Sequence, residues 1–419
     1  MTLIAHLPTA NNGTAGGAGW PRFEQDEIDA ATCVLRSGKV NYWTGSEGRS
    51  FEREFAAYIG SKYAIALANG TVALELALQA LDIGPGDEVI TSSRTFIASA
   101  SCAVMRGATP VIADVDPISQ NLTADTVKQV LSPNTKAIIA VHLAGWPCDM
   151  DPLMDLAREH NIKVIEDCAQ AHGATYRGRK VGSIGDVGAF SFCQDKVMTT
   201  GGEGGMLTLS DEHLWKRAWA FKDHGKSYDA VHKQDHPPGF RWLHESFGTN
   251  WRMTEMQAAI GRVQLRKLPK WLELRRKHAA ILTEGLSRVP GLRVTAPPPD
   301  VEHAYYKYYA FIHRDRIRSG ADRQRVVDAV NAQGVPCYSG TCSEIYREQA
   351  FVNAGLGPAE PLPVSRELGE TSLMFLVHPT LSEQDMHRAC IATDRAMNAY
   401  YGQRNESTPV ADRRGGQLP

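Results

Sequence analysis

Short apolar runs alternate with amphipathic stretches over the first two thirds of the chain. Residues 63–68, 88–91, 110–115, 136–142, 163–166, 188–192 and 206–209 read as strands. Most are nearly continuous apolar runs, the pattern of a sheet covered by helices on both faces. Between them, residues 72–81, 96–106, 124–131 and 151–160 read as helices, and Gly84-Pro85-Gly86-Asp87 is a turn signal. The alternation predicts an α/β domain around a mostly parallel central sheet.

From Thr254 the pattern changes. Residues 254–288 read as one long helical stretch that Pro269 should kink or divide. A β-like run over 304–312, a helical one over 323–333 and a last helix over 383–400 follow. They predict a smaller α+β domain over 270–402, after a large domain over 20–269. Residues 1–19, rich in Gly, Ala, Thr and Asn, read as a flexible leader without the basic start and apolar segment of a signal peptide. Residues 403–419 read as a disordered polar tail.

Composition narrows the function classes. The 45 Lys+Arg nearly balance 47 Asp+Glu, and no basic stripe marks a nucleic-acid surface. No apolar run approaches the roughly 20 residues that cross a bilayer. The eight cysteines include no C-x-x-C pair, which argues against zinc, and no metal is expected. Most sit in apolar segments and read as reduced thiols of a cytoplasmic protein.

Four motifs carry chemistry, each with a bland alternative. Asn69-Gly70-Thr71-Val72 follows a strand and opens a helix, where free N–H groups suit a phosphate; taken alone, an ordinary capping turn is the commoner reading. Glu166-Asp167 ends an apolar strand at the sheet edge where α/β folds bind ligands; a solvated strand end or a helix cap is the alternative. Phe190-Ser191-Phe192-Cys193-Gln194-Asp195-Lys196 leads into Thr199-Thr200-Gly201-Gly202-Glu203-Gly204-Gly205. A lysine there could form a Schiff base with a carbonyl cofactor, although lone lysines are usually solvated. In Gly248-Thr249-Asn250-Trp251-Arg252, Asn250 and Arg252 could reach a phosphate or carboxylate, but a loop-to-helix transition capped by Thr254 explains the pattern adequately.

In this order the motifs resemble the DegT/DnrJ/StrS family of sugar aminotransferases, a branch of the fold type I enzymes that use pyridoxal phosphate (PLP). The likeness runs from about Pro21 to Tyr400. It includes Leu35-Arg36-Ser37-Gly38, Trp43-Thr44-Gly45, Phe51-Glu52-Arg53-Glu54-Phe55, Val141-His142-Leu143-Ala144-Gly145 and Val377-His378-Pro379. The resemblance implies a fold type I aminotransferase-like α/β architecture. It implies that Lys196 carries the cofactor, that Asp167 pairs with its ring nitrogen and that Phe96 stacks on the ring. It makes Gln170 a contact of the ring oxygen, and Gly70, Thr71, Val72 and Ser191 contacts of the phosphate. Asn250 matches a residue that reaches the cofactor phosphate of a neighbouring subunit, which implies a homodimer with shared active sites.

Relatives with histidine in place of the lysine are dehydratases, so Lys196 favours transamination. The implied reaction moves an amino group from an amino acid, glutamate first, to a nucleotide-linked keto sugar, in amino-sugar biosynthesis for a surface polysaccharide or a secondary metabolite. Trp43, His142, Tyr306 and Tyr338 are the expected substrate contacts, because aromatic faces and polar tips suit a sugar or base. Tyr42, Trp146, His224 and Tyr305 are further candidates for the mouth of the site, and about half of all eight are expected to be core or rim residues. Cys193-Gln194-Asp195 and the segment from Tyr338 to Tyr346 depart from the family pattern. The alternatives are a cyclitol (scyllo-inosose) aminotransferase using glutamine, an aminohydroxybenzoate synthase, or a PLP-binding regulatory protein. A nucleotide-binding dehydrogenase is disfavoured, because no Gly-x-Gly-x-x-Gly joins a first strand to its helix.

Overall fold

The computed structural model describes residues 19–236, 239–314 and 322–400. Except for Gly19, the leader expected over 1–19 lies outside the described residues, as does the tail over 403–419. Seven strands form the central sheet: β1 (Tyr63–Leu67), β2 (Glu88–Ser92), β3 (Thr109–Ala113), β4 (Thr135–Val141), β5 (Lys163–Asp167), β6 (Val187–Ser191) and β7 (Gly205–Leu209). Their order is β1-β7-β6-β5-β4-β2-β3. Only β7 runs against its neighbours; the strands from β6 to β3 are parallel.

Period-2 alternation splits each strand between two cores. Ile65, Leu67, Val89, Ile139 and Ile165 face a cluster with helices α1 (Gly70–Ala80) and α2 (Ala98–Met105). Ile90, Ile138 and Val164 face the other side, against Leu153 and Leu156 of α3 (Met150–Glu159). Both faces are covered, which is why the sequence shows apolar runs rather than alternation.

The long helix α4 (Glu255–Leu286) is capped by Thr254, whose side chain accepts from the Gln257 N–H. Contrary to expectation, Pro269 does not divide it. The proline is exposed, while Leu265, Leu268 and Leu272 beside it are locked into an apolar cluster with Phe55, Phe190 and Phe192. That packing compensates for the hydrogen bond the proline cannot make. Farther along, Ala279, Leu282 and Leu286 belong to a different cluster. This second core contains α5 (Arg323–Asn331) and α6 (Glu383–Tyr400), and an antiparallel sheet of β8 (Leu292–Val294), β9 (Tyr308–Ile312), β10 (Cys337–Tyr338) and β11 (Ser372–Phe375) in the order β8-β9-β11-β10. One helix thus serves both cores. Half of the eight cysteines are buried, and all are free thiols.

Candidate active site

Strand register gathers the motifs at one edge of the central sheet. Leu67 and Ser191 both pair with Gly205, the first residue of β7, and Asp167 pairs with Val141 and Ala189. The carboxyl ends of β1, β4, β5 and β6 therefore lie side by side, where open α/β sheets hold ligands.

At the end of β1, Asn69 caps α1 by accepting the Val72 N–H at 3.0 Å. The N–H groups of Gly70 and Thr71 have no acceptor within the helix and stand at its positive end. A Cβ on Gly70 would lie 2.5 Å from Ser191 Cβ and 3.0 Å from its Oγ. Glycine is required by this close approach, which sets helix N–H groups beside the Ser191 hydroxyl. A helix start with a hydroxyl beside it is chemically suited to a phosphate.

Glu166 and Asp167 are adjacent on β5, so they point to opposite faces of the sheet. Glu166 is fully buried. It bonds to His142 Nε2 at 3.0 Å and accepts the Ile184 and Gly185 N–H groups. Burial opposes its ionisation, but His142 and the N–H donors outweigh that and hold its carboxyl below the usual range. Asp167 faces the site edge and is 6% exposed. Ser99 Oγ donates to its Oδ2 at 2.7 Å, and the Ala169 N–H to its Oδ1 at 3.1 Å. Ser99 in turn bonds to Thr95 Oγ1 at 2.8 Å. No helix follows Asp167; residues 168–174 form turns, so the capping alternative fails.

Lys196 sits in the loop after β6, and its side chain is 18% exposed. Its Nζ lies 5.0 Å from the Tyr306 ring centre and 3.9 Å from Asp195. Tyr306 donates its hydroxyl to Asp195. Burial opposes the charge on Asp195, but Lys196, Tyr306 and Lys307 together hold its carboxyl below the usual range. Trp20 reaches in from the start of the described chain and donates its Nε1 proton to the Lys196 carbonyl at 2.8 Å. The His172 ring is held neutral: burial pushes it down to about 3, and the Lys196 charge adds to that.

Other expected contacts fall on both sides of this line. Phe96 is 59% exposed, an unusual state for a large apolar ring that directly follows buried Thr95. Gln170 uses its Oε1 to accept the Ala144 N–H at 2.8 Å, and its amide nitrogen donates to no described residue. Asn250 is exposed, in a segment that pairs with Asp223 and with the end of β1. His142 is corrected. It is fully buried, with Nε2 on Glu166 and Nδ1 accepting the Cys148 N–H, so no ring nitrogen is left for substrate. Trp43 packs on Trp219 under the Lys226 ammonium, and no contact joins it to Lys196. Tyr338 is half-buried in β10 opposite Met374, and no contact joins it to Lys196. Among the farther candidates, Tyr42 and Trp146 are core residues.

Sequence reasoning missed Ser99, Thr95, Trp20, Arg275 and Lys307. No helical spacing marks Ser99: it lies just inside α2, and its partner Thr95 stands before the helix begins. These residues fit PLP: helix N–H groups beside the Ser191 hydroxyl suit its phosphate, and a fixed carboxylate, a free amide donor and a lysine are present.

The chain is similar to a described family and to named aminotransferases. Residues 21–393 match the model of the DegT/DnrJ/EryC1/StrS aminotransferase family. The chain is 38% identical over 385 residues to the GDP-perosamine synthase of Caulobacter vibrioides, covering 90% of this chain and 97% of that one. It is 39% identical over 338 residues to the dTDP-3-amino-3,4,6-trideoxy-alpha-D-glucose transaminase of Streptomyces venezuelae, covering 80% and 84%. The X-ray structure of an aminotransferase from Psychrobacter cryohalolentis superposes with a TM-score of 0.90 at 56% identity, over 92% of this chain and 99% of that one.

Proposed function

The chain belongs to the DegT/DnrJ/EryC1/StrS aminotransferase family, and on that premise we propose that it transfers an amino group from an amino acid, glutamate first, to a nucleotide-linked keto sugar. One observation carries the chemistry: Asp167 and the Gly70–Ser191 approach lie at one sheet edge, and Lys196 stands in the loop that leaves the strand ending at Ser191. The sugar acceptor is supported by relatives named for GDP- and dTDP-linked amino sugars.

PLP, when bound, supplies an electron sink that stabilises negative charge at the carbon carrying the amine. The residues of this chain do the rest. Gly70, Thr71, Val72 and Ser191 would hold the phosphate. Asp167, fixed by Ser99 and Ala169, would hold a proton at the ring nitrogen. The Gln170 amide would donate to the ring oxygen, and Phe96 would cover a ring face. Lys196 would anchor the cofactor and then carry the proton between substrate and cofactor carbons. Tyr306 forms the wall beside it, and Tyr338 remains a proposed contact farther out.

The test is a coupled assay that follows α-ketoglutarate formed from glutamate with a panel of nucleotide keto sugars. Turnover with at least one of them is expected. Turnover of scyllo-inosose with glutamine and of no nucleotide sugar would replace this reading with the cyclitol one.

We also propose a cytoplasmic homodimer with composite sites. The Asn250 side chain is exposed and bonds to no described residue of its own chain, which leaves it free to reach the neighbour's cofactor phosphate. No helix among the described residues is long and apolar enough to cross a membrane. Light scattering should report a dimer or a higher even state, and a fully active monomer would contradict shared sites.

A further inference from the structure

The surroundings of Tyr306 hold more positive charge than the chain neutralises. The ammonium groups of Lys196 and Lys307 both lie within 5.0 Å of the Tyr306 ring centre. Arg275 stands behind them. It is fully buried over the Trp20 ring, with Nη1 directed at the Tyr305 and Tyr306 carbonyls and with Nε and Nη2 lacking a hydrogen-bond partner among the described residues. One acid, Asp195, answers these three cations, and it is occupied by the Tyr306 hydroxyl and by Lys196. The Lys307 ammonium makes no hydrogen bond or ion pair with any described residue, although its side chain is only partly exposed. Burial pushes it down to about 8, against the pull of Asp195 and with Arg275 and Lys196 adding to the fall. An uncompensated, half-desolvated cation of this kind is stabilised by an anionic ligand.

Given amino transfer as proposed above, we propose that Lys307 is the seat of a carboxylate of the amino-acid donor and of the keto acid it becomes. In an amino acid the α-carboxylate is bonded to the carbon that carries the migrating amine. Its counter-charge must therefore stand close to the lysine that moves the proton, and Lys307 shares the Tyr306 ring with that lysine. The diphosphate of a nucleotide sugar is attached at a different carbon than the aminated one and stays attached, so its cations belong farther out. The cofactor phosphate has its own place at Gly70 and Ser191. Arg275, buried behind the ring, touches no ligand and adds to the local field.

The experiment compares the parent holoenzyme with Lys307→Met, which keeps the apolar stem and removes the charge. Calorimetry with glutarate, an inert dicarboxylate, reads the seat directly. Steady-state kinetics read the KM for glutamate, the KM for α-ketoglutarate in the reverse direction and the KM for the nucleotide sugar. Loss of one charged hydrogen-bonding partner should weaken glutarate binding and raise both acid KM values about 10- to 100-fold. The nucleotide-sugar KM and the visible spectrum of the cofactor should stay as in the parent, and Lys307→Arg should recover part of the acid affinity. Equal glutarate affinity in parent and Lys307→Met, or no glutarate binding by the parent, overturns the proposal. So does a variant that loses affinity for nucleoside diphosphate and keeps it for glutarate. If glutarate binds through Lys307 but the parent transfers from no amino acid, the carboxylate seat stands and the amino-transfer reading falls.

Discussion

Lys196→Ala should lower turnover by about 10⁴-fold, the upper range for loss of a positioned proton carrier. It should also remove the visible absorption of the bound cofactor. The change should leave the fold in place. The side chain is partly exposed, its nearest acid stands at 3.9 Å, and its backbone is held independently by Trp20 on its carbonyl and by its own N–H on the Cys193 carbonyl. Asp195 keeps the Tyr306 hydroxyl as a partner when the lysine is gone.

A rival amine makes the test sharper. Burial brings Lys307 down to about 8, so a fraction of it is neutral and nucleophilic near pH 8. Borohydride reduction followed by peptide mapping separates the two. The label should fall on the peptide of Lys196, which follows Ser191 at the proposed phosphate site. Label on the peptide of Lys307, or full turnover by Lys196→Ala, would sink the assignment.

The sheet and its edge were legible because three of the four motifs stand at the end of their own strand, so local pattern carried the position. Asn69-Gly70, Asp167 and Ser191-to-Lys196 each stand at a strand end; parallel order brings the ends of β4, β5 and β6 together, and β7, antiparallel to both neighbours, sets the end of β1 beside that of β6. His142 was misread by the same rule. It too follows a strand, but its ring turns down onto Glu166, and a strand's alternation separates Glu166 from Asp167 although they are neighbours in sequence. Lys307, Arg275 and Trp20 were invisible for another reason. They come from three distant segments that meet only because α4 joins two cores, and no spacing in the sequence encodes that meeting. Pro269 shows tertiary packing overriding a local breaker, since the apolar leucines around it are buried while the ring itself is exposed.

Asp167→Asn should cut kcat by about 10²- to 10⁴-fold, while costing about 1 kcal/mol of stability. The two magnitudes separate because the carboxylate has two different tasks. As a structural acceptor it holds the Ser99 hydroxyl at 2.7 Å and the Ala169 N–H at 3.1 Å. Asparagine matches its shape and keeps one acceptor oxygen for Ala169. Its amide can donate to Ser99, whose hydroxyl can turn towards Thr95, 2.8 Å away. The local network therefore survives with one bond reversed. As a negative charge, however, Asp167 has no substitute at this edge: Glu166 is committed to the opposite face and to His142. Without that charge nothing holds a proton at the cofactor's ring nitrogen, and the electron sink weakens. Thermal melting and single-turnover rates on the same preparation measure both quantities. A variant that melts lower yet turns over at more than a tenth of the parental rate would reduce Asp167 to a structural acceptor. Rate loss in a normally melting protein, with cofactor still bound, is the result that only a charge acting on the ring nitrogen produces.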